Sequence, residues 1–404
     1  MYGKREMNTR IAYLLSAAVI GLALYGSSTP SPLYATYREL WGFSQVVLTL
    51  VYAVYAFGVL ASLLLAGRVS DIVGRRPVLL GSLGTLMAAT VLFAAAQSLA
   101  WLFVARAIQG LATGLALGAA AAALLDLHPR RDPAGAGLAN GVASASGMSL
   151  GVLVSAALIE LLPAPRVLPF AVLFVLFALA FAGALLMPEP VAQPDRLRLT
   201  PQRPRVPAEV RRPFVAASLG VLSSWSIGGL FLALGPQLSA TLFESSNHLV
   251  AGIPVFAVGA CGALAQLVWG RLAPWIGASF GSVALAAGLA LISISASTGS
   301  SALLIAGSAI GGAGFGVAFL GALRALSAAI PLDSRAAVMS AFYVVAYLAI
   351  SVPAVLAGAL VGPLGMEHTF ELFGAALGAV ALAAAFEAWR TRPRAAPEPA
   401  LALE

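Results

Sequence analysis

The chain has 404 residues, of which 60% are hydrophobic and 10% are charged, and its mean hydropathy is +0.94. Soluble domains carry charge on about a quarter of their residues, so this composition excludes an ordinary soluble protein and predicts a membrane protein. The net charge of +7 comes from arginines scattered between apolar stretches. A nucleic-acid-binding protein would concentrate them on one folded face, so we expect no nucleic-acid partner.

The residue inventory narrows the class further. Cys261 is the single cysteine, whereas a disulfide framework or a cysteine metal cluster needs at least two thiols. Lys4 is the single lysine, so the phosphate-binding lysine of a GxxxxGK loop has no counterpart downstream. The histidines His128, His248 and His368 lie apart from one another near predicted helix ends. We expect no cofactor, no metal and no nucleotide-driven motor.

Twelve stretches are long and apolar enough to cross a bilayer, because about twenty helical residues span the hydrocarbon core. Lipid offers the backbone no hydrogen-bond partner, and the runs are too long for the alternating strands of a membrane barrel, so helices are predicted. The predicted spans 1 to 12 cover residues 11–37, 45–66, 77–97, 99–125, 136–162, 167–187, 214–242, 248–269, 280–297, 302–325, 336–362 and 369–389.

Span 1 has basic residues before it, as a signal peptide has, but its charge-free stretch is too long for the short apolar segment of one. We interpret it as the first membrane helix. It ends in a polar run, Tyr25 to Thr29, ahead of Pro30 and Pro32. This pattern predicts an interrupted helix with freed backbone carbonyls.

The loop after span 2 reads GRVSDIVGRRP, from Gly67 to Pro77. Its glycines permit a tight turn, and Asp71 and Arg75 can pair with groups that come close in only one arrangement of the protein. A turn whose arginines only fix topology is the alternative, but topology does not require the acid. The loop resembles the signature GxLaDrxGRr of the major facilitator superfamily. The match covers Gly67, Ser70, Asp71, Gly74, Arg75 and Arg76, and it departs from the signature at Ile72.

The resemblance implies an all-α carrier of twelve transmembrane helices in two pseudo-symmetric six-helix bundles, which works by alternating access. The signature loop would then latch the cytoplasmic side. Its candidate partners are Asp126, Arg130 and Arg131 after span 4, and Arg335 or the start of span 11, where the helix dipole favours an acid.

Span 4 contains RAIQGLATGLALG, similar to the RxxxG motif of proton-coupled drug exporters in this superfamily. Arg106 is the one charge predicted well inside the membrane, and such residues mark functional sites because burying them is costly. Thr113 shares its face and Gln109 lies next to it, which gives a polar stripe. Gly110, Gly114 and Gly118 form a separate face for close helix packing. The alternative is that Arg106 extends to the outer surface.

Span 5 lacks the proline of the exporter motif in GVASASGMSLG, so its Gly147, Gly151 and Ser155 are interpreted as helix packing. The basic, proline-rich segment 188–213 follows six spans and predicts a cytoplasmic linker, although it could also attract anionic lipid. We thus expect bundles at 1–187 and 214–390, and a tail at 391–404.

The two halves repeat each other in sequence. LYATYREL at 33–40 pairs with LSATLFES at 238–245, GRVSDIVG at 67–74 with GRLAPWIG at 270–277, and RAIQGLATG at 106–114 with SAIGGAGFG at 308–316. Their offsets are 205, 203 and 202, which indicates two related bundles. If both termini are cytoplasmic, Arg38 and Arg166 lie at the outer surface, Arg106 lies in the membrane, and every other Lys and Arg lies at the cytoplasmic surface. This bias is expected for a protein of the plasma membrane.

By the resemblance, spans 1, 4, 7 and 10 line the cavity, and a crevice between the bundles should reach Arg106 or Trp225. Aromatic rings with a few hydroxyls suit a partly apolar organic molecule, and Arg106 could bind an anionic group on it. The candidate substrate-binding residues are Tyr25, Ser28, Arg106, Gln109, Thr113, Ser224, Trp225, Gln237, Phe315 and Phe319. Each serine or aromatic alone is also explained by helix packing.

Proton coupling requires a titratable group, and no carboxylate lies at the middle of a predicted span. Glu39 and Asp126 are the candidates. We predict a monomeric carrier in the bilayer for proton-coupled efflux of a small organic molecule. Uptake by symport is the alternative in the same fold, and a non-transporting sensor or a membrane-embedded enzyme is the alternative of another class. We expect no enzyme, because paired carboxylates or a histidine cluster are missing within the spans.

Overall fold

The computed structural model of the protein describes residues 7–67, 69–191, 204–331 and 334–392, and only the backbone of Ala336. Within these ranges the regular structure is helical, and no β-strand occurs there. Lys4, residues 192–203 of the predicted linker and residues 393–404 of the predicted tail lie outside the described residues.

The helices occupy the predicted spans in the predicted order. Span 1 comprises Thr9–Ser28, the 3-10 turn Ser31–Leu33 and Tyr34–Trp41. Short helices Val69–Val73 and Ala208–Val210 precede spans 3 and 7. The other spans are 2, Gln45–Ala66; 3, Arg75–Ala94; 4, Leu99–Asp126; 5, Pro133–Leu161; 6, Leu168–Leu186; 7, Arg211–Leu242; 8, His248–Trp269; 9, Pro274–Thr298; and 10, Ser301–Ala329.

The last helix, Arg335–Arg390, contains two predicted spans. Its 56 residues would extend about 84 Å at 1.5 Å per residue, far more than a bilayer core of about 30 Å. Pro363 lies within it, and Gly365 has a non-helical backbone with φ 80° and ψ 168°. We therefore divide it into span 11, residues 335–364, and span 12, residues 366–390, close to the predicted limits.

Several helices begin before the apolar stretch that predicted them, because polar residues cap them. Span 5 begins at Pro133, and the Asp132 carboxylate accepts hydrogen bonds from the backbone of Ala134 at 2.9 Å and Gly135 at 3.0 Å. These bonds stabilise the ionised form and lower the pKa of Asp132 below its usual value. The cap therefore contributes at neutral pH and is lost as the pH falls through that lowered pKa.

Helix packing follows the two halves of the sequence. In the first half span 1 packs on spans 4 and 5, span 2 on span 4, and span 3 on spans 4 and 6; in the second half span 9 packs on spans 10 and 12, and span 8 on span 10. The halves meet mainly where span 5 packs on span 8 and span 2 on span 11. The division at residues 187 and 213 remains a prediction.

We call the end of the molecule that carries the signature loop the basic side, and the opposite end the far side. Polar contacts join the two halves at the far side. The pairs are Ser31 Oγ to the Leu232 carbonyl at 2.5 Å, Arg38 Nη1 to Gln237 Oε1 at 3.3 Å, and His248, through its backbone N–H at 3.0 Å and its ring at 3.2 Å, to Glu160 Oε2. Because residues 27–34 and 226–235 are buried as well, the far side is closed.

Candidate functional site

Span 1 is interrupted where the prolines predicted it. Pro30 has no backbone N–H, so the helix ends at Ser28, and the carbonyls just before the break need other donors. Side chains of spans 4 and 5 supply them: Gln109 Nε2 to the Gly26 carbonyl at 2.9 Å, Arg106 Nη1 to the Ser27 carbonyl at 2.8 Å, and Ser155 Oγ to the Thr29 carbonyl at 2.7 Å. Arg106 and Gln109 therefore hold the broken end of span 1 in place.

The Arg106 guanidinium is completely buried, at 0% exposure, which contradicts the alternative that it extends to the outer surface. Its Nε donates to the Tyr34 hydroxyl at 2.6 Å, and its Nη1 also donates to Gln109 Oε1 at 2.7 Å. Four rings surround its central carbon at 5.4 to 5.7 Å, those of Tyr34, Tyr52, Tyr55 and Phe93. We call these four residues the Arg106 cage.

The acceptors that bind Arg106 are neutral. Within the described ranges no carboxylate forms an ion pair with it, and Nη2 has no hydrogen-bond partner. A buried cation is stabilised by carbonyl oxygens and ring faces, but an unpaired donor costs about 1 to 3 kcal/mol or more. The site thus retains a positive charge with one donor group still available to an anion.

The glycine face of span 4 lies against span 2, as predicted. A Cβ at Gly110 would collide with the Tyr55 carbonyl oxygen, one at Gly114 would lie 2.8 Å from the Val59 carbonyl oxygen, and one at Gly118 would lie 4.0 Å from Leu63. The close approach brings the cage residues of span 2 to the guanidinium. The helix-packing interpretation of span 5 is confirmed in the same way, since its Gly147 and Gly151 lie against the backbone of span 1.

A second group of aromatic side chains lies between the halves. The Trp225 ring is 5.4 Å from that of Phe319 and 5.2 Å from that of Tyr347, and Tyr55 and Tyr343 pack in the same region. We call these five residues the central aromatic cluster. Trp225 is partly exposed, and its buried indole N–H has no hydrogen-bond partner among the residues that the structure describes. Arg106 is enclosed in this conformation, whereas part of Trp225 is exposed. The crevice expected between the halves remains a prediction.

The remaining predicted binding residues are dispersed. Ser28 Oγ donates to the Met148 carbonyl at 2.7 Å and Ser224 Oγ to the Gly220 carbonyl at 2.7 Å, so both hydroxyls bind backbone. Tyr25 packs in the core of the first half, Thr113 is buried on span 4, Phe315 lies against span 8, and Gln237 contacts Arg38 at the far side. The structure thus joins Arg106 to Gln109 and Trp225 to Phe319, and it places Thr113 beside Tyr55 of the Arg106 cage. The other predicted binding residues lie apart.

None of the four cage residues was predicted from the sequence, nor were Tyr343 and Tyr347 of span 11. The available signal was tyrosine in otherwise apolar spans, because a buried tyrosine hydroxyl needs a polar partner. The residues of spans 2, 3 and 11 were not considered, because the cavity was expected to be lined by spans 1, 4, 7 and 10.

In the signature loop, Arg75 binds three side chains of the first half. Its Nε lies 3.1 Å from Asp126 Oδ2, its Nη1 lies 2.8 Å from Ser70 Oγ, and Nη1 also pairs with Asp71. The predicted partner Asp126 is thus found. Among the described residues Asp71 pairs with Arg75 alone, and neither Arg130 nor Arg335 takes part in an ion pair.

Glu189, just after span 6, completes this region and was not predicted. Its two carboxylate oxygens accept the backbone N–H groups of Arg75 and Arg76, each at 2.9 Å, at the start of span 3. Gly74, with φ 109°, makes the turn there, and Gly67 ends span 2. A carboxylate at a helix amino terminus is favoured by the helix dipole.

The two candidate proton carriers lie at opposite ends of the protein. Glu39 is exposed at the far side, and Asp126 is exposed at the basic side, where it binds Arg75. Each lies near one end of its span. Neither is among the hydrogen-bond partners of Arg106 in the described parts of the chain.

Comparisons with known proteins agree with this architecture. A sequence profile of the Major Facilitator Superfamily matches residues 16–298. The solved structure of the human organic anion transporter MFSD10 (TETRAN) superposes with a TM-score of 0.68 at 17% identity, covering 95% of this chain and 100% of that chain. No curated protein matches in sequence. The profile covers well over half of the chain, which therefore belongs to the major facilitator superfamily, a family of membrane transporters.

Proposed function

We propose that the protein exports a small organic molecule from the cell by proton-coupled alternating access. The observation that carries this proposal is the enclosed Arg106, a buried cation with neutral partners and one unpaired N–H group. Such a group in the membrane interior is costly, so it marks a binding or coupling function.

The closed far side supports the alternating-access part of the proposal. The three polar pairs that join the halves there lie on the far side of the break in span 1, so their separation would open a path toward Arg106. At the basic side, the ion pairs of the signature loop among the described residues lie within the first half. In the opposite state Asp71, about half exposed here, would be available to the start of span 11 and would latch the basic side.

The substrate class follows from the two aromatic groups. The central aromatic cluster offers ring faces and the unpaired indole N–H of Trp225 to a partly apolar molecule. Arg106 would bind an anionic group once the cage opens. MFSD10, which shares the fold, is described as an organic anion transporter, and we propose the same broad class for this chain.

Proton coupling is assigned to Asp126 first and to Glu39 second. Asp126 binds Arg75, so its protonation would release that arginine and change the signature loop on which the latch depends. Glu39 lies beside Arg38, which joins the halves at the far side. We also propose that the protein is a monomer of the plasma membrane with both termini in the cytoplasm.

Flux of a panel of organic anions into inverted membrane vesicles tests this proposal. Efflux by proton exchange predicts accumulation that requires a gradient acidic inside the vesicle and collapses when a protonophore is added. Accumulation that is unaffected by the gradient would refute proton coupling. Substrate release driven by the same gradient would instead indicate symport, the uptake alternative.

A further inference from the structure

The second half contains a groove that the transport proposal does not use. It has a volume of about 250 Å³ and lies at the basic side between spans 7, 9, 10 and 12. Nine of its fifteen lining residues are alanines, and Ser282 and Thr391 supply its hydroxyls. The groove is therefore mainly apolar.

The internal repeat explains why this space exists. The offset of 203 at the signature loop relates Arg75 to Ala278, and the offset of 202 at span 4 relates Asp126 to Ala328. In the first half Arg75 and Asp126 form an ion pair across spans 3 and 4. Their counterparts in the second half, Ala278 and Ala328, line the groove. Alanine side chains are much shorter than those of Arg and Asp, so the volume that the ion pair fills in the first half is left open in the second.

An open apolar space at the protein surface favours an apolar occupant, because its lining atoms otherwise lack dispersion contacts on one side. Ala325 and Ala328 line the groove and are exposed, so it communicates with the surroundings of the protein. Its volume lies below the roughly 300 to 1,000 Å³ of pockets for compact organic ligands. A single hydrocarbon chain is a better match to its size and lining.

Three arginines lie close in sequence to residues that line the groove at the basic side. Arg212 directly precedes the lining residue Pro213, Arg392 directly follows Thr391, and Arg271 lies three residues before the lining residue Pro274. All three arginines are exposed, and within the described parts of the chain they form no ion pair. Their charge is complementary to an anionic headgroup.

Tryptophan side chains indicate that this end lies at the membrane surface. Trp275 lines the groove, and Trp269 and Trp389 nearby are about half exposed. Tryptophan is enriched where bilayer and water meet, at the depth of lipid headgroups. The groove thus extends from headgroup depth into the hydrocarbon region.

We propose that this groove binds one anionic phospholipid, with an acyl chain along the alanines of spans 9, 10 and 12 and its phosphate at Arg212, Arg271 and Arg392. The site is separate from the transport passage between the halves. The lipid takes the place that the ion pair of the signature loop occupies in the first half.

Native mass spectrometry of the purified full chain tests the proposal, with phosphatidylglycerol and phosphatidylcholine of the same acyl chains as probes. We expect one retained phosphatidylglycerol. Its affinity should exceed that of phosphatidylcholine by at least about tenfold, since each basic residue near an anionic headgroup contributes on the order of fivefold. Equal retention of the two lipids would overturn the proposal.

Two variants locate the site. Ala325→Leu combined with Ala328→Leu fills the groove, and we expect loss of the retained lipid, whereas Ala88→Leu, at an exposed alanine of span 3, leaves it bound. Arg212→Gln combined with Arg392→Gln should remove the preference for phosphatidylglycerol, in contrast to Arg10→Gln at the first half. Full retention in the filled variant would refute the site. The unfolding midpoint of the filled variant is also compared with that of the unsubstituted protein, with and without lipid. A midpoint that falls equally in both conditions would indicate that the protein's own chain fills the groove, and this would contradict the proposal.

Discussion

At the scale of single residues, Arg106 has two functions: it holds the broken end of span 1 in place, and it carries a positive charge in the site. Its donors replace the backbone N–H groups that the proline-containing break in span 1 lacks, and its charge is held among neutral acceptors. These two functions predict different results for different substitutions, because glutamine retains a donor and loses the charge.

We expect Arg106→Gln to fold and to transport anionic substrates at least about tenfold more slowly, since a charge-assisted hydrogen bond contributes about 1.5 to 3 kcal/mol. Arg106→Ala should lose transport and also some stability, because the Ser27 carbonyl loses its donor. Gln109→Ala is the control: it removes a hydrogen bond to the broken end of span 1 and leaves the charge of Arg106 unchanged. Unaltered substrate affinity in Arg106→Gln would show that Arg106 only holds span 1 in place and does not bind substrate.

Asp71 provides the second prediction at this scale. Its ion pair with Arg75 is partly exposed and Arg75 has Asp126 as a further partner, so Asp71→Asn should change the unfolding midpoint little. Transport should nevertheless fall, because the latch at the basic side needs the acid. Expression and membrane insertion should stay normal. Unchanged flux would reduce the loop to a topological signal.

At the scale of helices, contacts between small residues position the Arg106 cage. Span 4 approaches span 2 through Gly110 and Gly114, and this approach places Tyr52 and Tyr55 over the guanidinium. Without a hydrophobic driving force between helices in lipid, such backbone contact is a main source of helix association. The geometry of the site thus depends on glycines that do not touch Arg106.

The glycines of span 4 give a matched pair for a test. A methyl group at Gly110 would collide with the Tyr55 carbonyl oxygen, whereas one at Gly118 would meet Leu63 at an ordinary 4.0 Å. We expect Gly110→Ala to destabilise the purified protein by about 1 to 3 kcal/mol, the range for overpacking, and to lower transport. Gly118→Ala should change neither. A thermal unfolding series in one detergent measures the difference, and equal midpoints would contradict the assigned packing.

At the scale of the whole molecule, the far side is closed by few polar pairs between the halves. The Glu160 and His248 pair joins spans 5 and 8 there, and its side chains are partly exposed. A contact of this strength biases the open and closed states without locking either one, as alternating access requires.

Glu160→Gln should therefore shift the protein toward the state that is open at the far side. The single cysteine allows a direct readout: Ala233→Cys in a Cys261→Ala background places a thiol in the buried contact between the halves. We expect labelling by a membrane-impermeant maleimide to quicken about twofold to fivefold, the range for a partly exposed ion pair. Glu367→Gln, an exposed far-side acid, is the control. An unchanged labelling rate would show that the pair does not contribute to closure.

The sequence alone was enough to predict the membrane class, the order of the spans, the break in span 1, the signature loop and the separate arginine and glycine faces of span 4. These features are local: they depend on hydropathy, on prolines without an N–H group and on helical periodicity. The sequence also placed Gln109 next to Arg106 in one polar stripe of span 4, because residues three apart are neighbours on a helix surface. Their hydrogen bond is a finding of the structure.

The surroundings of those faces became known only from the three-dimensional packing of the helices. The cage brings together residues of spans 1, 2 and 3 around one arginine of span 4, Glu189 caps span 3 from beyond span 6, and the groove of the second half exists because four spans leave room at their alanines. In a bilayer, apolar side chains suit lipid and protein equally, so their pattern along one helix does not specify which neighbour they face. That choice depends on shape complementarity between spans, which arises only when all of them pack together.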